Sequence, residues 1–117
     1  MKISQMILKF ASDYISLGKD IEDKQNYLNA ACIAWNISNL PENKREIALN
    51  KFLEEYKVIN PKATRDDIKD VKHDMDLLIT EKLSLFPNVN VAIVNAKIVR
   101  EGHRDKIIAV STTFNNG

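Results

Sequence analysis

The chain has one cysteine, Cys32, and cannot form a disulfide within itself, so nothing in it calls for an oxidising compartment. Its three glycines, at positions 18, 102 and 117, are too scattered for a glycine-rich phosphate loop. The two histidines, His73 and His103, fall in different predicted elements, and neither has a nucleophile at a spacing that suggests acid–base catalysis. Seventeen basic and sixteen acidic residues leave a formal charge of +1, which gives no global pull toward nucleic acid or an anionic membrane. Long apolar runs are missing too. Near the N-terminus Lys2, Gln5 and Lys9 break up the apolar residues, unlike the core of a signal peptide. Together these absences lead to the expectation of a cytoplasmic protein without intrinsic catalysis, cofactor, metal or membrane association.

What the chain does have is a charge-free stretch from Gln25 to Pro41, in a sequence that is 28% charged overall. It holds the only tryptophan, Trp35, together with Cys32. Asn26, Asn29, Asn36 and Asn39 interrupt it, and a bilayer would leave their amides unsatisfied, so it reads as a soluble helix. At about 100° per residue, Ile21, Leu28, Ala31, Cys32 and Trp35 gather on one side. Ile33, Ile37 and Leu40 gather roughly opposite. A helix that is apolar on two sides is normally covered on both. The first side reads as core. The second is either a further contact inside the monomer or a subunit interface.

The remaining patterns predict an α+β fold in a single domain, 1–117. Four helices at about 3–17, 20–40, 41–57 and 64–85 pack around the second of them, and a C-terminal antiparallel β-hairpin follows at about 89–100 and 104–114. In the first helix Ile3, Met6, Ile7, Phe10, Tyr14 and Leu17 share a face, Leu8 and Ile15 lie on another stripe, and Gly18 suits a left-handed cap. Pro41 and Glu42 open the third helix, whose inner face carries Leu49, Phe52, Leu53 and Tyr56 with Ile47 or Ala48. Thr64 to Asp67 reads as a capping box for the fourth, which buries Ile68, Val71, Met75, Leu78, Ile79 and Phe86.

For the hairpin, Gly102-His103 suits a two-residue type II′ turn. That register sets Glu101 against Arg104, Arg100 against Asp105, Ile98 against Ile107 and Ala96 against Ala109. Strict alternation then puts Ala92, Val94, Ala96, Ile98, Ile107 and Ala109 on one face, and Val91, Ile93, Val110 and Phe114 on the other.

Three surfaces stand out as candidates. Ile33, Ile37 and Leu40 with Leu8 and Ile15 suggest a homodimer interface, and with it a small protein-interaction or regulatory module. Asp67, Asp70, Asp74 and Glu81 form an acidic stripe able to dock a basic partner. His73 lies near Asp70 and Asp74 at a spacing known from metal sites, but it points about 60° away from their stripe, so no metal is expected. At the hairpin tip Arg100, His103, Arg104 and Lys106 make a positive spot. Helices followed by a hairpin with a basic tip resemble, in outline only, a winged-helix nucleic-acid-binding domain. That alternative has a weakness: the helix before the hairpin exposes an acidic face, which phosphates repel.

Overall fold

The computed structural model describes residues 1–113. Four helices, α1 (Ile3–Ile15), α2 (Ile21–Ser38), α3 (Glu42–Ile59) and α4 (Arg65–Leu85), precede an antiparallel pair, β1 (Val91–Glu101) and β2 (Arg104–Thr113). Phe114, expected on one hairpin face, and the tail after it lie outside the described residues.

Local chemistry sets the helix starts. The Asp20 carboxylate accepts the Asp23 backbone N–H at 2.8 Å, and Glu22 and Asp23 add negative charge to the first turn of α2. Thr64 and Asp67 close a reciprocal capping box on α4, with bonds of 2.8 and 3.1 Å. The end of α1 departs from expectation. Gly102 is the only glycine with positive φ among the described residues, so Gly18 is not a left-handed cap. It serves close approach instead, because a Cβ there would sit 2.6 Å from the backbone nitrogen of Lys24. With α1 already ended at Ile15, Leu17 is swung out to 60% exposure rather than buried. In α3 the inner position goes to Ala48, and Ile47 faces outward.

The α2 helix touches α1, α3, α4 and β1, and is the hub of the molecule. Trp35 is fully buried between Phe10, whose ring centroid is 5.4 Å away and edge-on, and Phe86 at 6.0 Å. Lys82 of α4 is also buried, unforeseen from its charge. Its ammonium lies 4.9 Å over the Trp35 ring and donates to Asn39 Oδ1 at 2.9 Å and to the Val89 carbonyl at 2.8 Å. Burial, with Arg45 nearby, holds its pKa below the ordinary lysine range.

The second apolar side of α2 is corrected in part. Ile37, and Ile15 of α1, are core residues of the monomer at 6% and 5% exposure, packed within its hydrophobic cluster. Leu40 is half-buried, whereas Ile33 and Leu8 remain accessible.

Cys32 is buried, and burial pushes its thiol up to about 12 from 9.0. Between those values the unfolded chain has lost the thiol proton and the folded chain keeps it. Stability from this group is therefore complete below pH 9 and drains away as pH rises toward 12, by about 1.4 kcal/mol per pH unit. Denaturant titrations of the wild type and Cys32→Ala across this window should diverge with that slope. Parallel curves would show that the thiol does not titrate differently in the two states.

In the hairpin the expected register holds: Glu101 faces Arg104, Arg100 faces Asp105, Ile98 faces Ile107 and Ala96 faces Ala109. Gly102 has φ +66° and His103 is not in the positive region, the combination of a type II′ turn. Face assignment beyond Ala96 needs correction. A β-bulge lies between Ile93 and Asn95, so Ile93 pairs with Ser111 and Asn95 with Val110 while Val94 is the extra residue. The bulge switches the alternation. Ile93, Ala96 and Ile98 all turn to the helices, and Val94 points away at 63% exposure.

Candidate association surface

A two-stranded sheet has two outer edges, each a row of unpaired peptide groups. In this protein the β1 edge is covered by side chains of α2. The Asn36 amide donates to the Ile93 carbonyl at 3.0 Å and accepts the Ile93 N–H at 2.8 Å, as a neighbouring strand would. Gln25 repeats the device, donating to the Ala96 carbonyl at 3.0 Å and accepting the Ile98 N–H at 2.8 Å. Asn39 and the Trp35 indole both donate to the Val91 carbonyl, at 2.8 and 2.7 Å. The spacing works because both elements advance alike. Eleven helical residues from Gln25 to Asn36 rise about 16 Å, and five strand residues from Ile93 to Ile98 span about the same. A side-chain amide can donate and accept at once, as these two positions require, whereas an ammonium or an ionised carboxylate cannot.

These bonds also reveal the state of the β2 edge. Ile93, Ala96 and Ile98 direct their peptide groups at α2, so each is a non-hydrogen-bonded pair with its β2 partner. Their partners Ser111, Ala109 and Ile107 must then point their own N–H and C=O groups outward. Among the described residues no hydrogen bond engages these outward groups of β2. The β2 strand contains no proline, glycine or bulge to blunt the edge. Its solvent face presents Ile108 and Val110 at 52% and 55% exposure, with Val94 of β1 on the same face. Beside the edge runs a groove of about 400 Å³ between α1 and β2, lined by Ser4, Leu8, Arg104 and Ile107 among others. Thus Leu8, expected at an interface, borders the open edge.

The other sequence candidates are spread out. At the tip, Arg100 lies 3.6 Å from Asp105 and Lys106 3.5 Å from Glu101, so two of the four basic groups already face carboxylates. A 2.8 Å bond from Lys24 of α2 to Asp105 moors the tip to the helices. That bond, with Arg100 nearby, lowers the Asp105 pKa below its usual range. His103 and Arg104 are exposed. In the acidic stripe Asp67 is spent on the α4 cap, Asp74 is half-buried against α1, and Asp70 and Glu81 face solvent. His73 is exposed, and no three His, Cys, Asp or Glu side chains among the described residues gather as metal ligands would.

Sequence reasoning missed Gln25, Asn36, Asn39 and Lys82. The signal for the amides was present: positions 25, 29, 36 and 39 fall within roughly 80° of one another on a helical wheel, forming a polar stripe without charge. No family model, curated protein or solved structure matches this chain.

Proposed function

We propose that this protein is a small cytoplasmic association module without catalysis of its own, and that it pairs with a second copy of itself by joining the two β2 strands edge to edge. The observation that carries the reading is the unequal treatment of the two sheet edges. Four α2 side chains satisfy one edge, while among the described residues the other is long, regular and unpaired.

The edge is also self-complementary. An antiparallel pairing centred on Ala109 sets Ile107 of one copy opposite Ser111 of the other, with about six main-chain hydrogen bonds from the outward peptide groups. On the solvent face the same register sets Ile108 against Val110, apolar against apolar, and Lys106 against Thr112. Both helical layers then lie on one side of a four-stranded sheet. The lone, buried thiol of Cys32 fits a reducing compartment.

Light scattering at tens of micromolar should give twice the 13.3 kDa chain mass. Ala109→Pro removes an N–H that the intrachain ladder does not use, and proline is tolerated on an edge strand. That variant should keep the wild-type circular dichroism and melt, yet run as a monomer. Val110→Lys, on the exposed face, should weaken the dimer independently. A monomeric wild type, or two variants as dimeric as the parent, would sink the reading.

A further inference from the structure

A cleft of about 530 Å³ lies on the other side of α2 from the hairpin, between α1, α2, α3 and α4. All three tyrosines of the chain line it, each from a different helix: Tyr14, Tyr27 and Tyr56. Phe52 adds a fourth ring. Tyr14 and Tyr27 meet edge to face at 4.9 Å, and Phe52 and Tyr56 lie 6.4 Å apart with rings tilted. Two carboxylates, Asp23 and Asp74, complete the wall, and no lysine, arginine or histidine lines the cleft. Ile33, expected at an interface, forms part of its apolar lining.

Two further features set this apart from ordinary core packing. All four rings are only partly buried, so part of each remains accessible. Among the described residues Asp74 has no ion-pair partner, although it is half-buried and close enough to Tyr14 to act on its ionisation. Burial, then Asp74, push the Tyr14 phenol up to about 12 from 10.0.

Electron-rich ring faces with nearby carboxylates attract a cation, and the rings suit one whose charge is wrapped in methyl groups, since they offer dispersion contacts as well as field. Anions are disfavoured by the two carboxylates. A cleft of this volume suits a small molecule. We infer that the cleft binds a small organic cation of the methylated ammonium class, held by Tyr14, Tyr27, Tyr56 and Phe52 with Asp74 as counter-charge. This inference does not rest on the pairing of β2 strands.

The test compares choline with its neutral isostere, 3,3-dimethylbutan-1-ol, by following the tyrosine ring signals in NMR titrations of the full chain. Choline should shift the signals of all three tyrosines with saturation, and the isostere should bind at least about tenfold more weakly. Asp74→Asn should weaken choline by about tenfold while leaving the isostere unchanged. Tyr27→Phe, which keeps the ring and so guards against loss of fold, should retain most of the binding, and Tyr27→Leu should lose it. No saturable shift at millimolar choline would overturn the inference. So would equal binding of the isostere, which would reduce the site to an apolar hollow, or an undiminished affinity in Asp74→Asn.

Discussion

Replacing Trp35 by alanine is expected to remove a large share of the chain's stability. The indole is fully buried at the centre of the hub helix, edge-on to Phe10 and against Phe86, so its removal opens a cavity that rigid neighbours cannot fill. Loss of a buried tryptophan costs about 3–5 kcal/mol, against a total of about 5–15 for a domain. Two polar consequences add to this. The Val91 carbonyl loses one of its two donors, and the buried Lys82 ammonium loses the ring beneath it. The Lys82 charge is tolerable only with its partners in place. A melting temperature lower by about 10–20 °C, read by circular dichroism, is the expected outcome. A loss below about 1 kcal/mol in denaturant would mean that Trp35 is not the keystone its burial implies.

The second large effect is expected at Asn36, a residue with almost no apolar surface to lose. Asn36→Ala strips partners from both the N–H and the C=O of Ile93 in a half-buried setting. Each orphaned group costs about 1–3 kcal/mol, so about 2–6 in all. The loss should be local before it is global. Hydrogen exchange at the Ile93 and Ile98 amides should accelerate well beyond that in α2 and α4, reporting a hairpin that lifts from an intact helical body. Asn36→Asp is expected to do more damage than alanine, because it keeps the acceptor for the Ile93 N–H but turns a charged oxygen toward the Ile93 carbonyl. If Asn36→Ala cost less than about 0.5 kcal/mol, water must replace the amide freely, and the bonded β1 edge would be ornament rather than anchor.

Much of this architecture was legible in the residues. Helical periodicity placed all four helices, and complementary pairs around Gly102-His103 indicated the hairpin register, because a slip of one residue would have set Arg100 against Arg104 or Glu101 against Asp105, like charge against like. What stayed hidden depends on distance in space. The bulge at Val94 has no glycine or proline to announce it, so strict alternation carried Ile93 and Val94 to the wrong faces. Gly18 looked like a cap because glycine usually is one at a helix end, whereas here it makes room for the backbone of Lys24. Lys82 looked like a solvent-facing charge, and only the fold brings Asn39, Val89 and Trp35 around it. The aromatic cleft draws its rings from three helices, and nothing in the local spacing of Tyr14, Tyr27 and Tyr56 signals that they meet.

The single extra residue at Val94 has a consequence for how this chain can change over time. Peptide groups bonded to α2 lie at 91 and 93 on one side of the bulge and at 96 and 98 on the other, a change from odd to even numbering. Without the inserted residue, either Asn36 or Gln25 would face the wrong side of the strand. The helix cannot adjust, since its rise per residue is fixed. Substitution at Val94 is nearly free, because its side chain stands in solvent. Deletion is not. The position tolerates almost any letter but not a gap.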